Sequence, residues 1–131
     1  MPAYNEADRI VSSIEETVEA FNSFGYPWEL IVMDDGSSDD TYEKANALAQ
    51  KYPQLIVKKN LVNMGKGRAI KKALHHITGD YTLFLDADMD LHPIQFQTLF
   101  DIMGLDRADI VIGSKLHPNS RVNYPLQRKI I

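Results

Sequence analysis

Cysteine is missing from this sequence, which excludes disulfides and thiolate metal sites, so any bound metal must be held by carboxylate oxygens or imidazoles. Long apolar runs are missing too. Nothing approaches the ~20 residues a membrane-spanning helix needs, and Met1-Pro2-Ala3-Tyr4-Asn5-Glu6 lacks the features of a secretory signal, so a cytosolic chain is expected. Positive charge is in deficit: 14 Lys and Arg stand against 18 Asp and Glu, a formal net charge of −4. That balance gives no global attraction to nucleic acid, and no nucleic-acid partner is expected. Internal repeats, low-complexity tracts and linker-like stretches do not occur.

What is present is an ordinary globular composition, 44% hydrophobic and 24% charged over 131 residues, which predicts one domain with a real core. Between residues 7 and 24, Ile10, Val11, Ile14, Val18 and Phe21 recur at helical spacing, with Asn5 and Asp8 as N-terminal caps and Gly25 as the stop. Residues 28–33 form an apolar, β-branched run that predicts a buried strand entering the polar loop Asp34-Asp35-Gly36-Ser37-Ser38. Ser38 is placed to cap a second helix ending before Pro53, and a short strand over residues 55–58 follows. After Asn63-Met64-Gly65-Lys66-Gly67, a helix carries Ala69, Ile70, Ala73, Leu74 and Ile77 on one face and closes at Gly79. Residues 81–85 are the most strand-like run, Pro93 opens a helix to about residue 103, residues 108–112 read as another strand, and Pro125 starts a last helix. Alternating helices and buried strands predict an α/β sandwich with a mostly parallel sheet, in which ligands gather at the carboxyl ends of the strands.

Those strand ends carry the chemistry. Asp86, Asp88 and Asp90 put three like charges into five residues beyond an apolar strand, and their repulsion calls for a compensating cation. Mg²⁺ or Mn²⁺ usually takes one or two carboxylates plus water and substrate phosphates, so the loop suits a metal–diphosphate site, the alternative being a solvated turn. Asp39 and Asp40 read as helix caps. Lys66, between two glycines at a helix start, is taken as a phosphate ligand, whereas Lys71 and Lys72 read as a solvated helix face. His75 and His76 read as helix surface, and His92 and His117 are left open, since none has ligand spacing with another.

Four segments, Pro2-Ala3-Tyr4-Asn5-Glu6, Asp34-Asp35-Gly36-Ser37-Ser38-Asp39-Asp40-Thr41, Asn63-Met64-Gly65-Lys66-Gly67 and Asp86-Ala87-Asp88, taken in this order over nearly the whole chain, resemble the family 2 glycosyltransferases. The stretch from Gly113-Ser114-Lys115 to Tyr124-Pro125-Leu126-Gln127-Arg128-Lys129 is similar to the dolichyl-phosphate mannose or glucose synthase branch and its bacterial polyprenyl-phosphate relatives. The resemblance implies a GT-A fold, a Rossmann-like sheet flanked by helices, with residues 1–131 forming one partial catalytic domain. It implies metal-dependent, inverting transfer of a hexose from a GDP- or UDP-hexose to a polyprenyl phosphate. Pro2, Ala3, Tyr4 and Glu6 would border the base and ribose, and Asp34 would hydrogen-bond the base. Asp86 and Asp88 match the DxD motif that holds metal and diphosphate, while Asp90 stands where mannose synthases of this group often carry a glutamine ligand. Asp88, Lys115 and Arg128 would then act on the reacting phosphates.

Family members begin with an apolar strand directly before the Pro-Ala-Tyr-Asn-Glu segment, and Met1 here adjoins Pro2. The expectation is a domain lacking its first strand and shortened at both ends, with poor solubility or homodimerisation as the outcome, and a lipid-phosphate acceptor would bring peripheral contact with the cytosolic membrane face. Three rival readings stand beside this one: a non-catalytic nucleotide-sugar-binding fragment, a haloacid-dehalogenase-like phosphatase suggested by Asp86-Ala87-Asp88, and a receiver-like domain suggested by Asp34-Asp35.

Overall fold

The computed structural model describes residues 1–114. The chain divides into two compact units, Met1–Gln95 and Phe96–Ile131. In the first, a three-stranded parallel sheet is built from β1 (Pro2–Ala3), β2 (Leu30–Asp34) and β3 (Leu55–Lys59), with β2 in the middle. The register pairs Pro2 with Met33 and Ala3 with Asp34 on one side, and Leu30 with Leu55 through Asp34 with Lys59 on the other. Successive strand residues face opposite sides of a sheet, and all five residues of β2, Leu-Ile-Val-Met-Asp, are buried, so both faces are covered.

The covering helices are α1 (Ile10–Ser23), α2 (Thr41–Ala49) and α3 (Lys66–Ala73). Helix α1 buries Ile10, Ser13, Ile14, Thr17 and Val18, one face at i, i+3, i+4, i+7 and i+8, as the periodicity predicts. It packs on α2, α2 packs on β3, and α3 packs on β2 and β1. Gly25, at φ +73°, ends the first helical region as expected, and α2 stops before Pro53. The expected apolar face of α3 is only partly used: Ala69 is buried, Ile70 and Ala73 are half-buried, Leu74 is exposed, and the helix tightens into a 3₁₀ turn at Leu74–His76. A second 3₁₀ turn, Pro93–Gln95, packs against α1. The described part of the second unit is α4 (Phe96–Asp106), which ends with Arg107 in the left-handed region, and the stretch to Ser114.

Several details depart from the expectations. Asn5 and Asp8 do not cap α1; the chain enters that helix through a turn in which the Arg9 and Ile10 N–H groups donate to the Glu6 carbonyl at 2.9 and 2.8 Å. Ser38 does not cap α2 either, and Asp39 serves its start instead, its Oδ1 accepting the Thr41 N–H at 3.0 Å. No strand forms over residues 81–85 or 108–112. A strand needs a neighbour's N–H and C=O groups along its length, and β1 offers only two paired residues. Within 81–85, Leu85 alone is buried while Tyr81 and Phe84 are exposed, and Ile110 and Ile112 are each 80% exposed. The helix expected from Pro125 lies outside the described residues.

Candidate functional site

The loop leaving β2 splits two adjacent carboxylates between different tasks. Asp34 is fully buried; it accepts the Ser37 N–H at 3.3 Å and the Ser37 hydroxyl, and Lys59 Nζ lies 3.9 Å away. It closes the turn beneath the loop. Asp35 faces the other way and accepts Asn60 Nδ2 at 2.6 Å and the Met64 N–H at 3.1 Å, while Asn60 Oδ1 accepts Lys72 Nζ at 2.8 Å. Lys72, expected on a solvated face, is therefore the outer end of a relay through Asn60 to Asp35 that holds the loop before α3. Gly36 lies between, at φ +73°, with the backbone of Val62 and Asn63 crossing directly over it.

The N-terminal segment is clasped by the same loop. The Asn5 N–H donates to Ser37 Oγ at 2.9 Å, the Glu6 N–H to Thr41 Oγ1 at 2.8 Å and the Ala7 N–H to Asp39 Oδ2 at 3.1 Å. In return Asn5, at φ +54°, accepts the Ser38 N–H at 3.0 Å. Burial works to raise the Asp39 carboxyl, but hydrogen bonds from the Thr41 hydroxyl and the Ala7 and Thr41 N–H groups outweigh it and hold the group below its usual value.

The acidic loop is anchored by its middle residue. Ala87 is 4% exposed, and its carbonyl accepts the Ser13 hydroxyl from inside α1 at 2.7 Å, which leaves the Asp86 and Asp88 side chains emerging on either side. Met89 takes φ +59°, and the Asp90 N–H donates back to Asp88 Oδ1 at 3.2 Å. Lys66 Nζ lies 2.6 Å from Asp86 Oδ1. Beside this loop the Met1 amino group is buried and donates to the Ile31 carbonyl at 2.9 Å; burial pushes it down to about 6, against the raising influence of the Asp86 carboxylate.

These segments enclose a cleft of about 280 Å³ lined by Pro2, Ala3, Tyr4, Glu6, Asp35, Asn63, Gly65, Lys66, Asp86, Ala87 and Asp88. Of the expected residues, Pro2, Ala3, Tyr4, Glu6, Lys66, Asp86 and Asp88 come together there. Asp34 is not among the lining residues and Asp35 is; both are buried, at 0% and 3% exposed, and both carboxylates accept hydrogen bonds from within the loops. Asp90 does not line the cleft. Lys115, His117 and Arg128 lie outside the described residues. His92 does not line the cleft: its Nδ1 accepts the Ile94 N–H at 3.2 Å and its Nε2 lies 3.9 Å from Glu16 on α1. Sequence reasoning gave no site role to Asp35, Asn60 or Ser13, and read Lys72 as part of a solvated helix face. The signal for Asp35 was in the strand period: Asp34 continues an all-buried strand, so the next residue is the first free to turn toward the strand end.

Among the described residues no three metal-ligating side chains converge. Asp86 and Asp88 nevertheless share one wall of the cleft as hard oxygen donors, and such a pair, completed by water and phosphate oxygens, fits what Mg²⁺ or Mn²⁺ requires.

The chain is 32% identical over 137 residues to a dolichyl-phosphate beta-glucosyltransferase of Trichomonas vaginalis, covering 98% of this chain and 42% of the relative. It is 30% identical to a dolichol-phosphate mannosyltransferase of Pyrococcus furiosus, covering all of this chain and 36% of that one. It thus spans less than half the length of these curated relatives. A mannosyltransferase of Pyrobaculum calidifontis, solved in complex with GDP-Man and Mn²⁺, superposes with a TM-score of 0.54 at 32% identity over 66% of this chain and 26% of its own. Residues 1–129 match the family described as Glycosyl transferase family 2, with the parallel sheet and flanking helices of a GT-A-type fold, and the chain belongs to that family.

Proposed function

We propose that this chain is the donor-binding part of a metal-dependent, inverting glycosyltransferase that moves a hexose from a nucleoside-diphosphate sugar to a polyprenyl phosphate. The observation that carries the reading is the cleft in which Asp86, Asp88 and Lys66 meet Pro2, Ala3 and Tyr4. Membership of family 2 sets aside the phosphatase and receiver readings. The names of the relatives support a dolichyl-type phosphate as acceptor, and the GDP-Man and Mn²⁺ bound to the Pyrobaculum enzyme support a GDP-hexose and Mn²⁺ as the first donor and metal to test.

In this reading the base and ribose lie along Pro2 to Tyr4, with the 46%-exposed Tyr4 ring as an apolar surface. Asp86 and Asp88 hold a divalent ion, which supplies electrostatic stabilisation to the departing diphosphate. Lys66 adds a cation, and the family resemblance makes Lys115 and Arg128 the basic residues to test for contact with donor or acceptor phosphates. A phosphate acceptor is ionised near neutral pH, so its attack needs little help from a general base. Attack from the face opposite the leaving group inverts the anomeric centre. No helix among the described residues is long and apolar enough to cross a membrane, so contact with a lipid acceptor is assigned to the surface.

The test is thermal unfolding against GDP, UDP and their sugars with and without Mn²⁺, alongside Asp88→Asn, because a ligand of the native state raises apparent stability. A base-selective, Mn²⁺-dependent rise that Asp88→Asn abolishes is expected; an unfolding transition indifferent to every nucleotide refutes the donor site. Transfer of labelled hexose to dolichyl phosphate then separates an enzyme from the binding-only alternative.

A further inference from the structure

Lys66 and Asp86 face each other across the cleft at 2.6 Å, yet both are in contact with water, their side chains being 61% and 50% exposed. An ion pair of this kind is weak and readily exchanged, because solvent screens it and two side chains must be held in one geometry. Lys66 also stands between Gly65 and Gly67, around which there is open space: a Cβ at either glycine would meet nothing within 4 Å. With 61% of its own side chain exposed, Lys66 has solvent to swing into. Asp88, by contrast, has no cation within ion-pair distance among the described residues, its one recorded bond being from the Asp90 N–H. Of the two carboxylates that would hold a divalent ion, one is blocked by an ammonium and the other is open.

We propose that Lys66 is a displaceable counter-ion: it occupies Asp86 while the cleft is empty and transfers to the diphosphate when nucleotide and metal arrive together. The inference rests on the reading of the cleft as a donor site and adds an order to its filling. A bare divalent ion must displace an ammonium from Asp86 before it can use that oxygen. A nucleoside diphosphate offers the ammonium a new anionic partner at the same moment, so metal and nucleotide each make room for the other. Metal and diphosphate binding are then thermodynamically coupled through one side chain, and the coupling is reciprocal. Lys66 acts here as a positioning residue and the coupling is its function.

The experiment measures Mn²⁺ binding to the 131-residue chain from the loss of the free-ion electron paramagnetic resonance signal with Mn²⁺ alone, and protein-bound Mn²⁺ and nucleotide with saturating GDP or UDP by equilibrium dialysis against a protein-free chamber holding the same nucleotide. Lys66→Met is expected to tighten Mn²⁺ alone by roughly three- to tenfold, the range of an exposed pair plus the removal of a nearby positive charge. The same variant is expected to weaken GDP or UDP binding in the presence of Mn²⁺, and this opposition of signs is something a merely structural lysine would not produce. Lys66→Arg keeps the cation and should stay near wild type. Lys71→Met removes a positive charge from the same helix without touching Asp86 and controls for long-range charge. If Mn²⁺ alone binds Lys66→Met no better than wild type, or if neither binds it without nucleotide, the counter-ion role is overturned. Asp88→Asn separates the two levels: Mn²⁺ binding with nucleotide that survives this substitution refutes the donor-site reading itself, whereas binding lost in Asp88→Asn but unchanged in Lys66→Met refutes only the inference about Lys66.

Discussion

Replacing Gly36 with alanine tests whether the crossing of two loops sets the cleft. Gly36 has φ +73°, and a Cβ there would lie 2.5 Å from the Val62 carbonyl carbon and 2.7 Å from the Asn63 nitrogen. Gly25 has the same φ of +73°, but its Cβ would meet nothing within 4 Å. The two positions share a torsional penalty of about 1–2 kcal/mol for a residue with a side chain in the left-handed region. They differ in contact alone. A clash of Cβ with backbone cannot be relieved by a rotamer change, and overpacking of this kind costs about 1–3 kcal/mol. Gly36→Ala should therefore destabilise by about 2–5 kcal/mol and Gly25→Ala by about 1–2 kcal/mol, a large difference against a total stability of ~5–15 kcal/mol. Because Asn63 and Gly65 line the cleft, the displaced loop should also weaken binding of Mn²⁺ with GDP in Gly36→Ala, while Gly25→Ala binds normally. Urea unfolding followed by circular dichroism gives both stabilities, and calorimetric titration gives both affinities. Equal destabilisation of the two variants, or intact binding in Gly36→Ala, would show that the contact over Gly36 is not what holds the loop.

Ser13→Ala removes the donor to the buried Ala87 carbonyl and should cost about 1–3 kcal/mol in chemical denaturation. Lys72→Met cuts the relay to Asn60 and Asp35 and should weaken nucleotide binding by roughly three- to tenfold, about the worth of one hydrogen bond, with Lys71→Met near wild type by the same titration. Asp39 has a folded pKa below the unfolded one, so its contribution is present above the ordinary 3.8 and is lost as the pH falls through the lower folded value. In Asp39→Asn that part of the acid-side loss should vanish from urea midpoints measured across the acid range. Chelation of Mn²⁺ by EDTA should abolish GDP-dependent stabilisation, which at 100 times Kd amounts to about 2.7 kcal/mol; a shift that survives EDTA would place the nucleotide elsewhere.

The helix α1, strand β2 and the order of the elements from α1 to α3 were legible because burial imposes a period on the chain: Ile10, Ile14 and Val18 face the core and so must be apolar. The cleft was legible through its small and charged residues at strand ends. What could not be read was which of two neighbouring carboxylates lines the cleft. Asp34 and Asp35 are chemically identical, and their roles are fixed by Ser37 below one and by Asn60 and Met64 beside the other, contacts up to 29 residues distant. Capping was misread for a similar reason. Asn5 has the composition of a helix cap, but a left-handed φ turns its amide toward Ser38, 33 residues away. The apolar run at 81–85 has strand composition, and composition cannot supply a neighbouring ladder.

The tie between Ser13 and Ala87 divides the acidic loop into residues that different selective pressures would see. Asp86 and Asp88 are exposed, so in the proposed donor site drift there should change binding and hardly touch folding. Ala87 and Ser13 point inward, where a larger or apolar replacement is felt by the core before any ligand is met. A saturation library scored separately for abundance and for nucleotide binding should therefore give opposite patterns at alternating positions: tolerance in abundance at 86 and 88, intolerance at 87 and 13. The middle residue of the DxD motif is then a folding residue, and the freedom implied by writing it as x is narrower in this chain than the notation suggests.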